Sequence, residues 1–329
     1  MKELQAIVRA LTTTPRSDWV MATLVEVEGS SYRRPGARLL VGGGQRIGSI
    51  SGGCLEEDVL ARAQRVLATG VAETVVYDTT SENDLVWGVG LGCHGVVRVL
   101  VERVASQPAW AEMVAAGFAA RHETSLAVVH RHDDPARLGT REGTAMAAAG
   151  PDVFVQRIPP PVALHIFGAG DDAQPLARLA AELGWHVTVA DWRPAFATAA
   201  RFPQAEALVI GRAEELVART APDEATLAVV MTHHYVHDVP VLRALLGRPL
   251  VYLGLLGPRK RAERILDDLA KEGVAVTGEQ RARLHAPVGL DLGADSPEQV
   301  ALAIVAEMQA ALTRRDARPL RERTRPIHA

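Results

Sequence analysis

Cysteine is scarce in this chain: Cys54 and Cys93 are its two cysteines in 329 residues. Two cysteines cannot staple a fold of this length, and such usage points to a reducing cytoplasm. An excess of either charge is also lacking. The 36 Lys and Arg against 39 Asp and Glu leave a formal net charge of -3, which removes the electrostatic case for nucleic acid or a membrane surface as partner. No run approaches the roughly 18 apolar residues that a membrane-spanning helix requires. The opening MKELQAIVRAL reads as an amphipathic helix with Leu4, Ile7, Val8 and Leu11 on one face. It lacks the compact apolar core and small-residue cleavage site of a secretory signal. There is no internal repeat. What is there is ordinary for a globular protein, 48% hydrophobic and 23% charged residues, in a chain long enough for two domains.

The first half reads as mixed α/β. Strands are expected at Trp19–Val27, Arg38–Val41 and Arg46–Ser51, then a helix at Leu55–Leu67 with Leu55, Val59, Ala63 and Val66 at helical spacing. Further strands are expected at Glu73–Tyr77, Val96–Val101, Ser125–His130 and Val153–Ile158, with a helix at Ala109–Ala120. Three consecutive prolines, Pro159 to Pro161, cannot continue a ladder and prefer a stiff extended form. They mark the expected boundary between a first domain, 1–158, and a second, 162–329. The second half alternates. Strands at Ala163–Phe167, His186–Ala190, Ala207–Ile210, Leu227–Met231 and Pro249–Leu253 are interleaved with helices at Asp172–Leu183, Glu214–Arg219, Val239–Leu246, Arg259–Lys271 and Pro297–Leu312. Such alternation indicates a doubly wound parallel sheet, Rossmann-like, covered on both faces. The last helix carries a capping box, with Ser296 at the N-cap, Pro297 next and Gln299 completing the pair. The arginine-rich tail after Leu312 reads as a solvated terminus.

Two glycine turns carry the candidate chemistry. Ser51 to Glu56 reads SGGCLE and sets Cys54 after Gly52 and Gly53, directly before a helix. A thiol at a helix N-terminus has a lowered pKa and is a better ligand or nucleophile; free cysteines are also commonly small buried hydrophobes. Glu56, Glu57 and Asp58 favour the helix and oppose a thiolate. The second turn, Gly168-Ala169-Gly170-Asp171-Asp172-Ala173, is a GxGxxA between a strand and a helix, with Asp191 about 20 residues on at the end of the next strand. Asp191 is placed to accept hydrogen bonds from ribose hydroxyls, and Arg193 leaves the phosphorylated ribose open, so NAD(P) or another nucleotide is a candidate ligand. Asp171 and Asp172 work against this, since both stand where a pyrophosphate would lie. His233 and His237 could hold a metal if they shared a helix. Asp238 looks like an N-cap, which would leave the histidines on a loop as polar neighbours of a ligand. Gly254 to Lys260, with Gly254 and Gly257, would form the loop after the fifth strand, and Arg259 and Lys260 in the first turn of a helix either face an anion or are solvated charges.

Taken together, these residues resemble the XdhC/CoxI family, the accessory proteins of xanthine dehydrogenase and related molybdenum hydroxylases. The resemblance rests on GSSYRRPGARLLV (Gly29 to Val41), SGGCLEEDV (Ser51 to Val59), GLGCHG (Gly90 to Gly95), FGAG (Phe167 to Gly170) and DWRPAFATAARFP (Asp191 to Pro203). It continues through VVMTHHYVHD (Val229 to Asp238), YLGLLGPRKRAERIL (Tyr252 to Leu266) and PVGLDLGADSPEQVALAIVAE (Pro287 to Glu307). It implies a protein that binds molybdenum cofactor (molybdopterin), assists its sulfuration with a cysteine desulfurase and delivers it to a xanthine dehydrogenase-type apo-enzyme. The resemblance assigns Cys54 as the residue that holds the cofactor and its metal. A soft thiolate suits molybdenum, and Arg33, Arg34 and Arg38 could receive the pterin's phosphate. The chain departs from the family with His94 beside Cys93, a candidate further ligand, with Asp171-Asp172, and with Pro258 in place of a serine. The leading expectation is a cofactor-binding chaperone without net turnover, working as a homodimer. The alternatives are an NAD(P)- or nucleotide-binding oxidoreductase or cofactor-modifying enzyme, for which no convincing acid/base pair is evident beyond the histidines near His233, and a scaffold that docks desulfurase and target.

Overall fold

The computed structural model describes residues 1–53, 55–78, 95–143 and 150–324. The chain forms two compact units, Met1–Pro160 and Pro161–Ala329. Among the described residues no helix is long and apolar enough to cross a membrane.

The first unit is built on a five-stranded antiparallel sheet. After helix α1 (Lys2–Thr13) come β1 (Val20–Gly29), β2 (Arg38–Gly42), β3 (Gln45–Gly48), helix α2 (Glu56–Thr69), β4 (Glu73–Asp78) and β5 (Gly95–Arg103). The sheet order is β3-β2-β1-β5-β4. Helix α3 (Ala109–Ala120) leads to a second antiparallel sheet of β6 (Thr124–Val129), β7 (Gly139–Glu142) and β8 (Val153–Ile158), ordered β7-β6-β8. Strand alternation divides the core. Val20, Ala22 and Leu24 face Val59, Ala63 and Val66 of α2, while Met21 and Leu40 face Ile7 and Leu11 of α1 and Trp110 and Val114 of α3. The amphipathic reading of α1 holds, with Ile7, Val8 and Leu11 buried.

The second unit comprises β9 (Ala163–Phe167), α4 (Ala173–Glu182), β10 (His186–Asp191), β11 (Ala207–Ile210), α5 (Ala213–Thr220), β12 (Thr226–Val230), α6 (Tyr235–Leu246), β13 (Tyr252–Leu255), α7 (Arg259–Lys271), α8 (Gly278–Ala282), β14 (Leu284–His285) and α9 (Pro297–Thr313). The sheet is parallel throughout and ordered β11-β10-β9-β12-β13-β14. The order reverses between β9 and β12, the switch point at which doubly wound folds open a crevice. Both faces are covered. Leu164 and Ile166 pack on Leu176 and Ala180 of α4 and Ile304 and Met308 of α9; Phe167, Ala228 and Val230 pack on Leu216, Val241, Leu245 and Ile265 of α5, α6 and α7. The expected Rossmann-like sheet is therefore present, and the capping box opening α9 is formed as read.

Three boundaries differ from the sequence reading by three residues or more. Helix α6 opens at Tyr235 rather than Val239, because the His234 carbonyl already accepts the Asp238 and His237 amides at 2.9 and 3.0 Å. Asp238 is thus inside the helix and is not its N-cap. Strand β13 begins three residues late, at Tyr252, and runs through Gly254. The third strand is shorter than expected: it ends at Gly48, and Ile50 and Ser51 belong to the turn that follows.

Candidate functional site

The first glycine turn follows β3 and is clamped at its two ends. Ser51 is nearly buried, and its Oγ accepts the amides of Gly53 at 3.1 Å and Leu55 at 3.2 Å. The Glu56 carboxylate accepts the Ser51 amide at 3.0 Å and the Ser51 hydroxyl. The Ser51 and Glu56 side chains thus close the turn from its two ends, although neither caps α2, whose N-cap is Leu55. Burial pushes the Glu56 carboxyl up, but the Ser51 donors outweigh it and hold the group below its ordinary range. Asp58, in the first turn of α2, is likewise engaged, accepting from Arg62 Nε and Tyr77 Oη at 2.6 Å each. Gly53 has a φ of +114°, and among the described residues nothing lies within 4 Å of the position a Cβ would take. At Gly52 a Cβ would meet the exposed Tyr32 ring at 3.8 to 4.0 Å. Both glycines are exposed. Cys54, Cys93 and His94 lie outside the described residues.

Two of the three arginines read as phosphate receptors, Arg38 and Arg33, bond to the chain itself. Arg38 is 2% exposed. Its Nη1 donates to Gly36 O at 2.9 Å and to Gln156 Oε1 at 2.6 Å, joining the two sheets of the first unit from within. Burial lowers its pKa to about 10, against the pull of Glu102. Where the sequence reading set Arg38 toward a phosphate, strand alternation puts residue 38 on the same inward face as Leu40. Arg33 is paired with both carboxylate oxygens of Glu3.

The second glycine turn lies at the switch point between β9 and α4. Gly168 has a φ of +119°, and a Cβ there would meet Met231 O at 2.3 Å and Thr232 Cα at 2.9 Å, so its glycine lets the β12 loop approach. At Gly170 a Cβ would meet Asp172 Oδ1 at 2.6 Å and His233 Cδ2 at 3.8 Å. Asp172 sits at the N-cap of α4 but makes no capping bond. Its Oδ2 instead meets Nε2 of His233 at 2.7 Å. His233 holds this position in the left-handed region, φ 61°, and the Asp172 hydrogen bond raises its pKa against the effect of burial. Asp171 is paired with Arg201 at 2.9 Å.

Asp191 is wholly buried, and all its acceptor positions are filled by the chain. Oδ2 accepts the Ala169 amide at 2.6 Å and Arg193 Nη2 at 2.8 Å; Oδ1 accepts the Arg193 amide at 2.8 Å and Nε at 3.0 Å. A carboxylate has about four acceptor sites, so none remains for a ribose hydroxyl in this arrangement. Beyond Asp191, Trp192 stacks on His237 with ring centres 3.9 Å apart and meets His234 edge-on at 5.5 Å. Arg193 lies over the Trp192 and Phe196 rings.

The remaining residues of the sequence reading fall as follows. His237 stacks on Trp192 while His233 pairs with Asp172, and among the described residues no group of three or more His, Cys, Asp or Glu is arranged to hold a metal. Gly254 is not in a loop: it is buried in β13, where a Cβ would meet Val288 Cγ2 at 2.5 Å. Gly257 has a φ of +132° beside the Arg261 stem. Lys260 is exposed in the first turn of α7. The sequence reading missed the Ser51–Glu56 clamp and the buried Asp238, which accepts from the Thr232 hydroxyl and from Arg261 Nε at 2.9 Å. A serine and a glutamate were readable there, but the glycine pair sets them farther apart than the three residues of a capping box.

Comparison with known proteins gives concordant results. Residues 164–308 match the XdhC Rossmann domain, and residues 14–78 match the XdhC and CoxI family. A probable xanthine dehydrogenase subunit of Bacillus subtilis is 36% identical over 314 residues, spanning 88% of this chain and 92% of that protein. The molybdenum cofactor insertion chaperone PaoD of Escherichia coli is 28% identical over 295 residues, spanning 88% and 82%. The crystal structure of a xanthine dehydrogenase from Bacillus halodurans superposes with a TM-score of 0.81 at 30% identity, over 97% of this chain and 99% of that one.

Proposed function

Because the chain belongs to the XdhC and CoxI family, we propose that it is a carrier of molybdenum cofactor. It takes up the cofactor as cargo, keeps it while a cysteine desulfurase supplies sulfur, and delivers it to a xanthine dehydrogenase-type apo-enzyme. It does this in the cytoplasm, as a homodimer. The name of the E. coli relative, an insertion chaperone, supports this reading. The structural observation that carries it is the first glycine turn. The Ser51–Glu56 clamp ties the ends of a short turn whose two glycines are exposed, and among the described residues no atom lies within 4 Å of the Cβ position at Gly53. Its next residue, Cys54, brings a soft sulfur donor of the kind molybdenum prefers. Of the three acids opening α2, Glu56 and Asp58 are tied to internal partners, which spreads the charge that would otherwise oppose a thiolate.

The test is molybdenum content and pterin fluorescence of the protein purified anaerobically from cells that make the cofactor, beside Cys54→Ala. Cofactor on the wild type and its loss on the variant are expected. Equal loading of the two removes Cys54 from the site. No cofactor on the wild type, under conditions that load a known carrier, contradicts the carrier reading.

A further inference from the structure

The Rossmann fold of the second unit implies a dinucleotide, and the residues at its switch point do not fit one. Four observations converge. The glycines that would let a pyrophosphate approach instead admit the chain itself, Met231 and Thr232 at Gly168 and Asp172 at Gly170. At the start of α4, beside the ordinary phosphate position, the Asp172 carboxylate bonds to no helix amide and is held instead by His233. The acid that would take the ribose hydroxyls, Asp191, is saturated by Ala169 and Arg193. And since β9 lies between β10 and β12, the stack of Trp192, which follows β10, on His237 of α6, which follows β12, joins the chain on either side of the turn. A phosphate brought to this place would meet a carboxylate at contact distance, and the ribose would find no free acceptor.

We propose that this crevice is closed to NAD(P) by the chain's own groups, with Asp172 standing in for the phosphate, Arg193 for the ribose hydroxyls, and the Asp172–His233 pair acting as the latch. The second unit is then a Rossmann fold whose ligand position is filled from within. This goes beyond the carrier function and does not depend on it, since it concerns the other unit and a different ligand.

The test is calorimetric titration of the full chain with NAD+, NADH, NADP+ and NADPH. The wild type is expected to show no saturable binding up to about 1 mM. In Asp172→Ser/Arg193→Ala, serine keeps a good N-cap while the stand-in carboxylate and the guanidinium are gone. This variant is expected to gain affinity for at least one of the four ligands, roughly tenfold or more. His233→Ala, which leaves the turn and helix unaltered, is expected to show a smaller gain. Circular dichroism and urea unfolding establish that each variant is folded. Micromolar binding by the wild type overturns the proposal. So does a failure of the folded variants to bind better than the wild type, because the side chains named would then not be what closes the crevice.

Discussion

The two glycine turns look alike as sequence and differ in what surrounds them. Each follows a strand, opens a helix and has acids in or beside the first turn. At Gly53 no described atom lies within 4 Å of the Cβ position; at Gly168 that position is taken by backbone at 2.3 Å. The first turn ties its ends together with a side-chain clamp. The second folds its own acids and bases into the place a ligand would take. A glycine motif therefore tells where backbone approaches something closely or turns sharply, and only the neighbouring elements tell whether that something is a ligand or the protein.

The largest expected effect sets the two glycines against each other. Gly168→Ala places a Cβ against the Met231 carbonyl, which is backbone and cannot yield. A loss on the order of 4 kcal/mol is expected in urea unfolding. Gly53→Ala meets no described atom, and the strain of its positive φ is expected to cost about 1–3 kcal/mol. Equal losses would break the comparison. Next comes Arg261→Ala, which strips the guanidinium from Asp238, a carboxylate only 1% exposed. Leaving a buried charge unpaired is expected to cost about 3 kcal/mol, and an unchanged unfolding midpoint would mean that the edge of the second unit is not held by this network.

Ser51→Ala tests the first turn. It removes the acceptor for the Gly53 and Leu55 amides and a donor to Glu56, with an expected loss of about 1–2 kcal/mol. It also removes a donor that holds Glu56 low, so the Glu56 carboxyl should titrate higher than in the wild type, as followed by NMR. The smallest effect is pH-dependent. His233 has its pKa raised by Asp172, so the pair's contribution is fully present below the ordinary histidine value of 6.5 and is lost as pH rises through the raised value. Because the His233 side chain is 57% exposed, the contribution is at most about 1 kcal/mol. The difference in Tm between wild type and His233→Asn should therefore be largest under acidic conditions and fade in alkali. A difference independent of pH would remove the ion pair from the account.

The second unit was legible where local signals agreed. Strands β9, β10 and β12 are short apolar runs ending in turns, and α9 announces itself with Ser296, Pro297 and Gln299. Strand β7 (Gly139–Glu142) carries a polar sequence and is a strand only by pairing with β6, while β14 is two residues long. The start of α6 was obscured because Asp238 has the residue type of an N-cap, although its carboxylate belongs to Thr232 and Arg261, one of them 23 residues away. The site follows the same division. The position of Asp191 at the strand end was readable; that Arg193, two residues on, fills its carboxylate was not. Arg38 read as a candidate for the pterin's phosphate, and nothing local announces its partner Gln156, which lies 118 residues along the chain.

One titration series tests the contrast between the turns most directly. Full-length protein, free of cofactor, is titrated in parallel with molybdenum cofactor and with NADH, for the wild type, Cys54→Ala and Asp172→Ser/Arg193→Ala. The account predicts that the wild type takes molybdenum cofactor and not NADH, that Cys54→Ala loses the first, and that the double variant keeps it. Saturable NADH binding by the wild type, with molybdenum cofactor ignored, would contradict the account at both turns.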